Sequence, residues 1–326
     1  MVENKLDYSS CHLCPRNCGV DRLAGVAGFC GESAVMRIAS AVVHRGEEPP
    51  LITGKGSGTI FFTGCTLGCS FCQNSQISSY GMGAVVEPGT LGEICRSLER
   101  AGASNINLVT GSQFIPGIAA ELGNLRAEGF SLPVVWNSSG FESPGGLALI
   151  GPLVDVYLLD LKSATAEGAE LLFGRRDYPE AAMKTAVFAA GQRPIEFRGD
   201  ALVRGTILRH LVMPGMEGET EKVIDWFGRH LADNALFSLM LQYIPPRGPD
   251  ISGGPVSAED VHRFRSERLL ALLDEAGIEN GFIQESEGDA AWLPDFNKWN
   301  PFPEEYAVPV WHWSCGFGNE GPENTL

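Results

Sequence analysis

Three cysteines, Cys65, Cys69 and Cys72, stand close together in "TIFFTGCTLGCSFCQNSQ", directly after an apolar run, and no fourth follows at short range. A structural zinc site is closed by four ligands, and a fully ligated iron–sulfur cube likewise takes four cysteines. Three thiolates therefore leave one iron open. At the C-terminal end of a parallel strand, where α/β sheets place ligands and chemistry, an open iron is a seat for a substrate or cofactor. The alternative is a structural zinc completed by a distant Cys or His. Upstream, Cys11, Cys14, Cys18 and Cys30 in "CHLCPRNCGVDRLAGVAGFC" follow C-x2-C-x3-C-x11-C spacing. Punctuated by Pro15, Gly19, Gly25 and Gly28, they can fold back around one metal centre, a second [4Fe-4S] cluster or zinc, or stand as free thiols. Zinc would make the segment a folding staple; a second cluster would relay electrons or bind substrate. His12 is expected to be exposed.

These residues need a scaffold. At 326 residues, with 44% hydrophobic and 20% charged side chains, the chain suits one large α/β barrel or a main domain with an appendage. A net charge of -16 argues against a general phosphate-backbone binder, so no nucleic-acid partner is expected. The first residues carry no apolar leader, and no uninterrupted apolar stretch is long enough for a membrane span. A cytoplasmic location with no membrane partner is the expectation, and in that reducing compartment clustered cysteines point to metal rather than to disulfides.

Residues 1–58 read as a Cys-rich, metal-binding segment with one strand over 35–44. From 59 the pattern changes to short strands at 59–62, 105–110, 133–136, 154–161, 203–212 and 236–243, with amphipathic helices between them. Thr90 and Glu93 suggest a capping box for a helix ending at Gly102, with Cys95 on its buried face. Ser257 and Asp260 open a second clear helix, with Val261, Phe264, Leu269 and Leu272 on one side and Gly277 after its end. Strand and helix alternate six times, which implies a parallel sheet with crossover helices. Residues 59–290 are assigned to this body and 291–326 to a C-terminal tail packing on it.

"CTLGCSFC", with Phe71 before the last cysteine, resembles the signature of the radical S-adenosylmethionine (SAM) enzymes. "GTIFFTGC", "NINLVTGSQF", "VVWNSSG", "VDVYLLDLK", "RHLVMPG" and "LMLQYIP" occur in an order similar to that of uncharacterised homologues of the pyruvate formate-lyase activating enzyme. The resemblance implies a partial (β/α)6 TIM-like barrel, open on one side. It implies that Cys65, Cys69 and Cys72 ligate three irons of a [4Fe-4S] cluster and that SAM binds the fourth. Cleaving a sulfonium takes a strong one-electron donor held against the sulfur in a dry pocket. A low-potential donor such as flavodoxin or ferredoxin is the implied electron source.

Carried over by position, Phe71 would lie beside the adenine of SAM. Thr110, Gly111 and Ser112 occupy the place of a Gly-Gly-Glu motif that holds the SAM amino group, here without the acid, so that backbone carbonyls would do the holding. Asn137 and Ser138 fall near the ribose, Lys162 in "LLDLK" with Asp160 is the candidate for pairing the SAM carboxylate, and Arg209 is the next. Asp160 and Lys162 could instead form a surface ion pair, and Arg209 and His210 could be solvated or satisfied by carbonyls. The implied activity is hydrogen abstraction from a glycine of a partner glycyl-radical enzyme, or else from a small molecule or peptide side chain. A non-catalytic electron carrier or zinc-bound interaction module is the reading from another class. Glu47 and Glu48 are expected as a solvated acidic turn approaching the barrel mouth, with contact to a substrate amine as the functional alternative. In the tail, Trp311, His312 and Trp313 suggest a strand that covers the open side, with Cys315 either bland or placed over the active site.

Overall fold

Short β-branched and aromatic runs bounded by Gly, Pro and Asn fold as strands wherever both faces can be buried, and this dictates most of the sheet. The structure, a computed structural model, describes residues 8–244, 268–284 and 293–318. Its strands are β1 (Arg37–His44), β2 (Ser57–Phe62), β3 (Ala84–Val85), β4 (Ile106–Val109), β5 (Val134–Ser138), β6 (Val156–Asp160), β7 (Glu196–Arg198), β8 (Ala201–Leu211), β9 (Leu236–Met240), β10 (Gly281–Gln284), β11 (Ala307–His312) and β12 (Gly316–Phe317). The spatial order is β10-β9-β8-β6-β5-β4-β2-β1-β11-β12. From β2 to β10 every pair is parallel, whereas β1 and the tail strands run antiparallel. Among the described residues β10 pairs only with β9, so the sheet is a partial barrel. Each strand expected from 59 onward is present, and β10, a four-residue strand, is an addition.

Alternation along β5 shows how the sheet divides two cores. Val134 and Trp136 face the helical layer with Ile94, Cys95, Leu98, Ile118 and Phe227. Val135 faces the lumen with Val156, Leu158, Leu202, Ile207 and Leu236. Leu51 joins this inner group from the turn between β1 and β2. Because His44 at the end of β1 pairs with Ser57 at the start of β2, that turn crosses the lumen at the N-terminal ends of the parallel strands and forms a floor.

The helix over Thr90–Ala101 ends at Gly102 in the left-handed conformation, as its sequence suggests, but its start differs. Gly89, at φ 92°, is the N-cap with no side-chain cap, and Thr90 is already helical, so the capping box does not form. Helical backbone at 268–275 ends before Gly277, and Leu269 is buried; Ser257, Asp260, Val261 and Phe264 lie outside the described residues. In the tail, β11 pairs with β1 rather than bridging to β10. Trp311 and His312 are buried there and Cys315 is exposed. Among the described residues no helix is long and apolar enough to cross a membrane.

Candidate active site

β2 is buried along its whole length and delivers its C-terminal end to the cysteine loop. Gly64 makes the exit turn at φ 73°, where a Cβ would stand 2.5 Å from the Cys30 carbonyl oxygen. Beyond it Cys65, Cys69 and Cys72 are all half-buried. The loop is tied internally by Leu67 N–H to Cys65 Sγ at 3.4 Å and by Cys72 N–H to the Cys69 carbonyl at 3.3 Å. Ser70 anchors it through its hydroxyl to the Leu172 carbonyl at 2.9 Å. Burial pushes the thiols of Cys65 and Cys69 up, and the other thiols of the trio push both further, while Lys162 pulls them down. Thiols that resist ionisation in isolation lose their protons to a metal centre, whose charge replaces the missing solvation. No three Cys, His, Asp or Glu among the described residues converge on one ion. Three mutually interacting thiols are the protein's share of the ligands for a cluster with one open iron.

Facing this loop across the strand ends lies a charged network. Lys162 Nζ donates to Asp160 Oδ2 at 2.7 Å, and Arg209 Nε to Asp160 Oδ1 at 2.7 Å. Arg209 also donates to Asn137 Oδ1 at 2.6 Å. Register explains the meeting, since Asp160 on β6 pairs directly with Arg209 on β8. Burial opposes ionisation of Asp160, but Arg209 and Lys162 outweigh it and hold the carboxyl below the usual range. Tyr178 locks the turn, its hydroxyl donating to the Asp160 carbonyl at 2.8 Å and accepting from Lys162 N–H at 3.0 Å. Lys162 Nζ is 6.0 Å from the centre of the Phe71 ring.

Glu47 and Glu48 are not a solvated turn. They rise from the floor into the lumen, where Asn107 Nδ2 donates to Glu47 Oε2 at 3.0 Å, and Ser238 Oγ and Gln284 Nε2 donate to Glu48 Oε1 at 3.3 and 3.2 Å. Arg209 Nη1 stands 3.8 and 3.6 Å from the two carboxylates. Burial raises Glu48 to about 7 although Arg209 pulls it down. Glu48 Oε2 and Asn107 Oδ1 are buried without a hydrogen-bond partner. Buried acceptors left unpaired are costly, and such atoms ask for a donor from outside the chain.

Thr110 adopts φ 57°, a left-handed conformation that a β-branched residue rarely takes and that marks stored strain. Its N–H reaches the Asn137 carbonyl at 2.9 Å. Gly111 is required by packing, since a Cβ there would meet Ile118 at 2.7 Å and Trp136 at 3.1 Å. The Ser112 side chain turns away from the lumen and donates to buried Glu142 at 2.6 Å, so only the backbone of this segment is offered to a ligand. Ser138 is likewise engaged, its hydroxyl accepting Gly140 N–H at 3.1 Å.

Gln113, which the sequence did not single out, joins these parts. Its Nε2 donates to the carbonyls of Thr63 at 2.6 Å, Gly64 at 3.3 Å and Thr110 at 2.7 Å. Its own carbonyl accepts Arg22 Nη1 at 2.5 Å. The Gln113 side chain thus ties the cysteine loop to the Thr110 segment, and its backbone carbonyl ties both to the N-terminal segment. Cys11, Cys14, Cys18 and Cys30 line a single pocket beside it with Arg16, Arg22, Phe29 and Thr66. His12 is exposed and bonded to Ser10 and Asn17. His210 is satisfied internally by the Leu161 carbonyl at 2.7 Å and Thr220 at 3.0 Å. Asn137, Asp160, Lys162 and Arg209 are brought together; Cys315 stands exposed in the tail turn.

Residues 59–227 match the family described as the Radical SAM superfamily. An uncharacterized protein of Methanocaldococcus jannaschii is 31% identical over 246 residues, which cover 73% of this chain and 67% of that one. Among solved structures, SuiB of Streptococcus suis bound to S-adenosylmethionine superposes with a TM-score of 0.51 at 13% identity, over 68% of this chain and 48% of that chain. This likeness is one of fold, and the chain spans about half the length of SuiB. A domain of a pyruvate-formate lyase-activating enzyme from Bacteroides vulgatus matches with a TM-score of 0.34 at 14% identity, over 52% of this chain and 91% of that domain.

Proposed function

This chain belongs to the radical SAM superfamily, and from that premise we propose that it cleaves S-adenosylmethionine reductively and abstracts hydrogen from a substrate bound in the lumen. The observation that carries the reading is the facing of three half-buried thiols and the Asp160–Lys162–Arg209–Asn137 network across one mouth. Cys65, Cys69 and Cys72 would hold a [4Fe-4S] cluster. When bound, the cluster supplies one electron to the SAM sulfonium, giving methionine and a 5'-deoxyadenosyl radical.

The chain's own residues supply binding and orientation. Lys162, held by Asp160 and by Tyr178 at its backbone, keeps further N–H donors for a carboxylate. Asn137, fixed by Arg209, presents its amide at the neighbouring strand end. Phe71 gives an apolar surface next to Lys162, and the Thr110 segment presents backbone.

For the substrate, the unpaired acceptors on Glu48 and Asn107 favour a group that brings N–H donors. A glycine of a partner glycyl-radical enzyme is the first candidate, and a peptide side chain or small amine is the second. Anaerobically reconstituted protein with dithionite and SAM should release 5'-deoxyadenosine, and the Cys72→Ala variant should release none. A fully loaded, reduced protein that yields no nucleoside overturns the proposal. Incubation with glycyl-radical enzymes, read by electron paramagnetic resonance, separates the substrates: a protein-borne glycyl radical supports the first, and nucleoside formation coupled to a modified peptide or amine supports the second.

A further inference from the structure

We propose that Cys11, Cys14, Cys18 and Cys30 hold a second [4Fe-4S] cluster, not zinc, placed to pass electrons to the Cys65 loop. The relay half rests on the function proposed above; the cluster itself does not.

All four sulfurs line one pocket. Gly28 leaves the space between two of them open, for a Cβ there would lie 3.0 Å from Cys18 Sγ and 3.8 Å from Cys30 Sγ. Four thiolates around one pocket are the ligand set of a [4Fe-4S] cube as much as of zinc, and what decides between them is where the pocket lies.

One buried cation faces the four thiols. Arg22 is 1% exposed. Its guanidinium donates to the carbonyls of Glu32 at 3.1 Å, Gln113 at 2.5 Å and Ser33 at 2.5 Å, and to Cys11 Sγ at 3.8 Å. The buried Glu32 carboxylate is close enough to attract this guanidinium, and thiolates around a metal centre would add anionic charge on the Cys11 side.

Position gives the cluster its role. Thr66, the residue after Cys65, lines the pocket. Arg16, also lining it, donates to the carbonyls of Thr66 at 3.0 Å and Leu67 at 2.7 Å. Gln113 bonds both Gly64 and, through its carbonyl, Arg22. A staple needs no such contact with the redox loop. An external low-potential, one-electron donor reduces the second cluster, and the same electron then moves to the cluster of the Cys65 loop; no bond forms or breaks and no proton is required.

The test begins with the full-length chain carrying Cys65→Ala, Cys69→Ala and Cys72→Ala, reconstituted anaerobically with iron and sulfide in the presence of zinc. About four irons and four sulfides per chain are expected, with a paramagnetic signal after dithionite. One zinc per chain, or neither metal, overturns the assignment. If that variant precipitates, the unaltered protein decides by Mössbauer spectroscopy and metal analysis: about eight irons support the proposal, and about four with one zinc refute it. The mirror variant, Cys14→Ser with Cys30→Ser, should retain about four irons. For the relay, the signal of the reduced two-cluster protein should be broadened relative to the sum of the two single-cluster variants, and a spectrum equal to that sum removes the relay. Failure to cleave SAM in the presence of both clusters would overturn the proposed function while leaving the second cluster in place.

Discussion

The two cysteine sites differ in what surrounds them. Around the N-terminal four, Cys11 and Cys14 are buried and the one fully buried cation, Arg22, is spent on carbonyls and a sulfur. Around the loop three, every thiol is half-buried, and the facing cations are neutralised by carboxylates that also point into a lumen. The first arrangement would be completed by a resident metal centre, as proposed above. The second would keep a position, a charge and several hydrogen-bonding atoms for something that arrives and leaves. Ligand count and the state of the neighbouring charges therefore carry the same message, and neither alone would carry it as well.

Breaking the open site has the largest expected effect. Cys69→Ala should abolish 5'-deoxyadenosine formation and lower iron by about four per chain, measured by chromatography and metal analysis, whereas the N-terminal complement stays. Next comes the network that faces it. Asp160→Ala leaves Lys162 without its carboxylate and Arg209 with only its longer contacts to Glu47 and Glu48, and unfolding in urea should report a loss of about 3 kcal/mol together with weaker SAM binding.

Acid should strike the barrel in particular. Burial holds His44 and His210 neutral, at about 4, against carbonyl partners that pull upward. Between that value and the ordinary one near 6.5 the unfolded chain binds protons that the folded chain refuses, so stability is complete above about pH 6.5 and falls as pH drops toward 4. Each imidazole accounts for on the order of 2 kcal/mol at pH 5, which a series of thermal melts from pH 7 to 5 would reveal; a flat series would contradict it.

Two smaller changes probe the seam between the sites. Gln113→Ala removes the amide that ties the cysteine loop to the Thr110 segment while keeping the carbonyl that Arg22 uses, and should cost about 1–3 kcal/mol, with iron content unchanged and nucleoside release slowed. Gly64→Ala forces a side chain into left-handed backbone against the Cys30 carbonyl, for about 1–2 kcal/mol from the backbone alone, read by the same urea curve.

Much of this was legible in the chain. The apolar runs that became β2, β4, β5, β6, β8 and β9 are continuous and β-branched, as strands buried on both faces must be, and Asn137, Asp160, Lys162 and Arg209 sit at or beside their ends. Local signals served less well where a distant partner decides. Glu47 and Glu48 read as a solvated turn because nothing nearby neutralises them; Arg209, far along the chain, does. Arg22 and Gln113 act through backbone carbonyls, which any sequence offers everywhere, so no pattern of residue types could mark them. Ser112 belongs to the segment matched to a SAM-holding motif, yet its hydroxyl is drawn to Glu142, a buried acid in the loop after β5. At Thr90 the local cap motif lost to the left-handed turn at Gly89.

β10 ends the sheet on one side and β12 on the other, with no ladder joining them among the described residues. An enclosed cylinder would admit only what fits through its rim. A crescent can instead be entered laterally, so a chain segment still attached to a folded partner could lie against the reactive centre without being threaded. Discrimination in such a molecule is left to the chemistry of the floor and walls, and girth ceases to be the filter.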